Sequence, residues 1–93
     1  MSMRVRKRVV VRGIVQGVGF RWYTRRHASL LGLGGFVRNM PDGSVLIEVE
    51  GEDSLVSSLI EKVKIGPTHA IVESVEVEEL SPIGENVFRI IYS

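Results

Sequence analysis

The 93-residue chain is 44% hydrophobic and 25% charged with a net charge of +1, which is ordinary for a globular protein with one domain over residues 1–93. It has no cysteine, which excludes disulfides, thiol nucleophiles and thiolate metal ligands. No apolar run is long enough to cross a bilayer or to form a signal peptide, so we expect a cytoplasmic protein without a membrane partner.

The first predicted element is a β-strand over residues 5–15. This segment is rich in β-branched residues, with Val9 and Val11 on one parity and Arg8 and Arg12 on the other. Such alternation is typical of a strand with one buried face.

A glycine-rich turn at Gly17 and Gly19 follows the strand, and a helix is predicted to begin at Phe20. Glycine lets successive backbone N–H groups converge, and a helix N-terminus adds unpaired donors. Arg21 falls in the first helical turn, where a cation is unfavourable unless an anion lies beside it. The segment predicts a phosphate site, although a tight turn with a surface arginine explains it equally well.

The helix continues to residue 31, because its apolar residues recur every three or four positions, and it ends at Gly32. A strand over residues 35–39, a turn at 40–43 and a strand over 44–51 follow. In the last of these, Val45, Ile47 and Val49 should point inward, and Leu46, Glu48 and Glu50 outward.

A second helix starts near Glu52 and ends at Gly66. The next strand spans residues 70–80, and its apolar parity shifts near residues 73–74, which predicts a β-bulge. After a polar loop, residues 87–92 form a short last strand with Phe88 inward. No repeat, linker or low-complexity tract interrupts this order.

The order βαββαβ with one extra C-terminal strand predicts an α+β, ferredoxin-like sandwich with one antiparallel sheet and both helices on one face. In this topology the first strand lies between the third and the fourth. The first two strands then end at the same rim of the sheet, which brings Arg21 and Asn39 together. Ligands commonly bind at such rims.

Charge is divided unevenly along the chain. Residues 1–41 contain nine Lys or Arg and no acid, whereas residues 42–93 contain eleven acids and three bases. The basic half could bind nucleic acid. We favour the alternative, in which basic and acidic strands lie side by side and neutralise each other across the sheet.

Two long segments resemble the acylphosphatase family. The first is Gly13-Ile14-Val15-Gln16-Gly17-Val18-Gly19-Phe20-Arg21, and the second is Gly35-Phe36-Val37-Arg38-Asn39 followed by Asp42-Gly43-Ser44-Val45 and Gly51. The resemblance covers nearly the whole domain. One departure is Met40, where many members carry threonine beside the asparagine.

The resemblance implies hydrolysis of a small-molecule acyl phosphate to a carboxylate and inorganic phosphate, without a metal or other cofactor. It implies that Arg21 binds the phosphoryl group and that Asn39 positions the attacking water. We expect the backbone amides of the 16–21 loop to form the phosphate cradle: Gln16, Gly17, Val18, Gly19 and Phe20. We also expect a monomer that binds no nucleic acid.

Other interpretations stay open at this point. The same element order serves RNA-binding domains, but the central strands lack the aromatic residues that stack on bases. A non-catalytic or carbamoyl-phosphate-handling module of a larger protein is a further alternative. His27 and His69 are assigned packing or surface roles rather than metal or base roles. Trp22 and Tyr23 are assigned to helix packing or to a solvent-side ring rather than to stacking on a substrate acyl group.

Overall fold

A computed structural model describes residues 3–92. The first two residues and the last residue of the predicted 1–93 domain therefore lie outside the described part of the chain. Within it, the chain forms five strands and two helices in the predicted order: β1 (Arg4–Ile14), α1 (Phe20–Leu30), β2 (Gly34–Asn39), β3 (Val45–Glu52), α2 (Asp53–Ile65), β4 (Ile71–Leu80) and β5 (Phe88–Ile91). Neither helix of residues 3–92 has the length and hydropathy needed to span a membrane.

The five strands form one sheet in the order β4-β1-β3-β2-β5. β1 lies between β3 and β4 and is antiparallel to both, as predicted. β2 is antiparallel to β3, so β1 and β2 run in the same direction. The predicted ferredoxin-like fold is confirmed; the difference is that β5 pairs parallel to β2, which makes the sheet mixed.

Both helices cover one face of the sheet and form the core with it. The predicted inward residues of β1 and β3 are buried there, as are the apolar stripes of the helices and Phe88. In α2 that stripe consists of Val56, Leu59, Ile60 and Val63. The predicted β-bulge is confirmed in β4, because Arg12 pairs with Ser74 whereas Gly13 pairs with Val72, which leaves Glu73 as the extra residue.

The arginines of β1 pair with carboxylates across the opposite face of the sheet. Arg6 and Arg8 lie directly opposite Glu50 and Glu48 of β3, and their guanidinium groups contact these carboxylates at 3.0 Å. Arg12 contacts Asp42 at 3.1 Å. The predicted neutralisation across strands is confirmed, and the basic strand does not present an unpaired row of arginines.

Glu50 points outward as predicted but is buried there. It does point away from the helices, but its side chain is 0% exposed. The loop between β4 and β5 covers it, and the N–H groups of Ile83 and Gly84 donate to its two carboxylate oxygens at 2.9 and 2.8 Å. The alternation along β3 could not reveal this burial, because the covering loop is remote in sequence.

Candidate active site

The glycine-rich turn between β1 and α1 presents unpaired backbone donors. Gly17 and Gly19 have φ angles of +74° and +78°, a left-handed conformation that glycine adopts without steric cost. Among residues 3–92, no backbone or side-chain acceptor receives a hydrogen bond from the N–H groups of residues 17–20. Unpaired donors at the start of a helix are well suited to bind an anion.

Arg21 lies half-buried in the first turn of α1. Its guanidinium carbon is 5.0 Å from the centroid of the Tyr92 ring, a cation–π contact that restricts where the guanidinium can lie. The first turn of α1 contains no acidic residue. The positive end of the helix dipole and the Arg21 charge therefore reinforce each other and favour a negative ligand.

Asn39 ends β2, and the turn that follows it is tied to the cradle by Gln16. The Gln16 Nε2 donates to the carbonyl oxygens of Met40 at 2.8 Å and Ser44 at 2.9 Å. The N–H of Met40 also donates to the Ser44 carbonyl oxygen at 2.8 Å. These bonds use the main chain of Met40, so the departure from threonine at this position does not affect them.

A cavity of about 140 Å³ brings the predicted groups together. Gly17 and Gly19 of the cradle, Arg21 and Asn39 all line it, so the two segments that the topology predicted on one rim do meet. The lining is completed by Val15, Phe20, Trp22, Ile90 and Tyr92. Of the predicted cradle residues, Gln16 and Val18 lie outside this lining: Gln16 acts through its side chain, and Val18 borders a neighbouring groove.

Sequence reasoning missed Tyr92 as part of this cavity. β1, β2 and β5 all run in the same direction, because β1 and β2 are each antiparallel to β3 and β5 is parallel to β2. Their C-terminal ends therefore share one rim, and the residue after β5 reaches Arg21. Predicting the position of Tyr92 requires the pairing partner of β5, and the sequence of a four-residue strand does not reveal its partner.

The remaining candidates divide between surface and packing positions: Trp22 and His69 are exposed, whereas Tyr23 and His27 are half-buried. Tyr23 donates from its hydroxyl to the Lys62 carbonyl oxygen at 2.8 Å, and its ring meets His27 edge-on with centroids 4.5 Å apart. His27 and His69, distant in sequence, line the same groove beside the cavity. In residues 3–92 no three His, Cys, Asp or Glu side chains come close enough to hold a metal ion.

Comparison with known proteins agrees with this geometry. A family model described as acylphosphatase matches residues 7–90. An acylphosphatase from Caldivirga maquilingensis is 60% identical over 79 residues, which cover 84% of this chain and 83% of the relative. A crystal structure of an acylphosphatase from Bacillus subtilis is similar with a TM-score of 0.91 and 37% identity, covering 95% of this chain and 99% of that one.

A structure of full-length HypF in a phosphate- and nucleotide-bound form is also similar. Its TM-score is 0.90 at 29% identity, and the match covers 98% of this chain but 12% of HypF. The same fold thus occurs within a much longer protein. The family model and the close relative, which this chain matches over most of its length, show that the chain belongs to the acylphosphatase family.

Proposed function

We propose that this acylphosphatase hydrolyses the carboxyl–phosphate bond of small acyl phosphates with Arg21 and Asn39 as its catalytic residues. The observation that carries the proposal is the shared cavity, which is lined by three residues of the cradle and by both Arg21 and Asn39; the cradle residues are Gly17, Gly19 and Phe20. The products are a carboxylate and inorganic phosphate. The relatives' shared name, acylphosphatase, supports this substrate class.

The leaving group explains why the site needs no general acid. Cleavage of the mixed anhydride releases a carboxylate, whose conjugate acid has a pKa of about 4, so it leaves with the bonding electron pair unprotonated. The water oxygen forms a bond to phosphorus as the bridging P–O bond breaks, and the water proton passes to solvent. Catalysis then depends on positioning and on stabilising negative charge.

The cradle and Arg21 supply that charge stabilisation. Their N–H groups are arranged before the substrate arrives, so they need little reorganisation when charge develops on the equatorial phosphoryl oxygens. The planar guanidinium can donate to two of these oxygens at once, which fixes the orientation of the phosphoryl group as well as neutralising it. The contact with Tyr92 holds the guanidinium at the cavity.

Asn39 is suited to position the attacking water. A carboxamide can accept a hydrogen bond from the water and donate one to a phosphoryl oxygen at the same time. In a loose phosphoryl-transfer transition state, bond formation to the nucleophile is limited, so the water needs alignment more than deprotonation. The Gln16 bonds to the following turn keep Asn39 at a fixed place relative to the cradle.

The test is hydrolysis of acetyl phosphate and benzoyl phosphate in the presence of a metal chelator. We expect wild-type turnover to survive the chelator, and Arg21→Ala and Asn39→Ala each to lose about 100-fold or more in kcat/KM, which is typical for removal of one such donor. Arg25→Ala is the matched control, because Arg25 is exposed on the same helix and lies outside the cavity.

Circular dichroism and thermal unfolding establish that the variants fold. A folded Arg21→Ala variant with wild-type turnover would overturn the phosphoryl-binding role, and a folded Asn39→Ala variant with wild-type turnover would overturn the water-positioning role. Absence of any acyl phosphate hydrolysis by the wild-type protein would overturn the proposed reaction itself.

A further inference from the structure

A second, larger depression adjoins the phosphate cavity. This side groove, of about 570 Å³, lies between α1 and the turn that follows α2, and it shares Gly19 and Trp22 with the cavity. The cavity itself measures about 140 Å³, so the side groove is the larger of these two spaces. Trp22, which lines both the cavity and the side groove, is 58% exposed.

The walls of the side groove are held in place by contacts between α1 and the α2 end. The Tyr23 hydroxyl donates to the Lys62 carbonyl oxygen at 2.8 Å. Gly66 ends α2 with φ +74°, and a Cβ at this position would stand 3.0 Å from the Phe20 ring, so glycine permits the close approach of the turn. The N–H of Ala70 donates to the Pro67 carbonyl oxygen at 3.0 Å and closes that turn.

The lining of the side groove combines apolar surface with positive charge. Trp22 and Pro67 provide apolar contact, and Arg26, His27 and His69 line it beside them. The Arg26 guanidinium carbon lies 5.6 Å from the centroid of the Trp22 ring. α1 carries no acidic residue that could neutralise this end of the groove.

Arg26 is the permanent cation of this lining. Burial, reinforced by the charges of Lys62 and Arg26, lowers the pKa of His27 below its usual value, so the imidazole is neutral near pH 7. Arginine stays protonated at all ordinary pH values. The Arg26 guanidinium is therefore the fixed positive charge with which an anionic group in the side groove would interact.

We propose that the side groove is the subsite for the acyl part of the substrate, and that Arg26 gives it a preference for acyl groups carrying a second negative charge. This inference rests on the proposed acyl phosphate hydrolysis. Arg26 lies one helical turn beyond Trp22, with about 6 Å between the Cβ atoms of such neighbours.

The experiment compares two substrates of matched size, 4-carboxybenzoyl phosphate and its neutral counterpart 4-carbamoylbenzoyl phosphate. The measured quantity is the ratio of their kcat/KM values in wild type, Arg26→Gln and Arg25→Gln. Intrinsic differences in leaving-group reactivity cancel, because the same pair is compared in each protein. Arg25→Gln makes the same change one residue away, outside the side groove.

We expect Arg26→Gln to lower the ratio about two- to fivefold, as for loss of a partly exposed ion pair, and Arg25→Gln to leave it at the wild-type value. The same ratio in all three proteins, or an equal fall in both variants, would overturn the inference. A wild-type measurement is independent of how the variants fold: raising salt from about 10 mM to about 1 M shortens the screening length from roughly 30 to 3 Å and should lower the ratio.

An unchanged wild-type ratio across that salt range would also overturn the inference. Acetyl phosphate, too small to fill the side groove, separates this failure from failure of the proposed function. If the wild-type protein hydrolyses acetyl phosphate but shows no charge preference, the subsite assignment alone is wrong. If it hydrolyses none of the acyl phosphates, both the function and the subsite are wrong.

Discussion

At the scale of single residues, the site depends on a cation placed where a helix by itself disfavours one. Arg21 stands in the first turn of α1, next to the unpaired N–H groups of residues 17–20. The positive end of the helix dipole raises the energy of the guanidinium until an anion binds between them. On the proposed function, relief of this repulsion would provide part of the binding energy for the phosphoryl group.

Arg21→Lys keeps the charge but removes the planar pair of donors. We expect kcat/KM for benzoyl phosphate to fall about 100-fold, because a lysine ammonium cannot hold two phosphoryl oxygens in fixed orientation. Steady-state kinetics with circular dichroism on the same samples measures the effect, and Arg25→Lys serves as the matched control. Near-normal activity of a folded Arg21→Lys variant would rule out the bidentate grip.

At the scale of elements, the site is assembled at the rim where three strands of one direction end. The sequence predicts two of them, because alternation marks β1 and a hairpin turn marks the end of β2. It predicts β5 as a strand but not its place at this rim, because neither the partner nor the direction of β5 can be deduced from four residues. The sequence therefore does not predict the parallel pairing of β5 with β2, nor the contact of Tyr92 with Arg21 that results from it.

The hydrogen bonds of Gln16 join the cradle to the turn after Asn39. Gln16→Met keeps the side-chain length but removes both donors, and we expect kcat to fall about tenfold, because small displacements of positioned groups are costly in rate. Inhibition by inorganic phosphate should stay at the wild-type level, since the cradle amides and Arg21 are retained. A general loss of stability would weaken phosphate inhibition as well, so a fall in kcat with unchanged inhibition indicates a positioning role for Gln16.

Arg12→Gln is a control on the same turn. Arg12 contacts that turn through an ion pair with Asp42, in which the two side chains are 47% and 57% exposed. Ion pairs this exposed contribute little to stability. Equal loss of kcat in the Arg12→Gln and Gln16→Met variants would show that Gln16 has no specific positioning role.

At the scale of the whole molecule, the basic and acidic halves of the chain form neighbouring strands of one sheet, where their side chains pair. The acidic second half could be matched to basic β1 from the sequence, because strand order places β3 and β4 on either side of it. The burial of Glu50 could not be predicted from the sequence, because it depends on the loop between β4 and β5 folding back over the sheet. Burial alone would raise the pKa of Glu50, but the N–H groups of Ile83 and Gly84 and the guanidinium groups of Arg4 and Arg6 outweigh it and lower that pKa to about 2.

This lowered pKa makes Glu50 a source of acid sensitivity. Its ordinary value is 4.5, so its stabilising contribution is complete above about pH 5 and is lost as the pH falls towards 2. The difference corresponds to about 3 kcal/mol in the free energy of unfolding. Glu50→Gln should therefore be less stable than wild type at pH 7, and the two should converge near pH 2.

Chemical denaturation at a series of pH values measures this convergence. Glu79→Gln is the control, because the Glu79 side chain is 78% exposed and should leave the pH dependence of the wild type unchanged. A Glu50→Gln variant whose unfolding free energy runs parallel to that of the wild type from pH 7 to pH 2 would contradict the assignment.

The central claim is that preformed backbone donors and one guanidinium hold a tetrahedral anion beside the Asn39 carboxamide. The most direct measurement is titration of ¹⁵N-labelled protein with inorganic phosphate at constant ionic strength, followed by NMR. We expect saturable shifts at the amides of residues 17–20, the Arg21 Nε and the Asn39 side chain, with a dissociation constant that matches the inhibition constant for turnover. Shifts confined to the arginines of β1, or no shift at the cradle under conditions where phosphate inhibits, would contradict the claim.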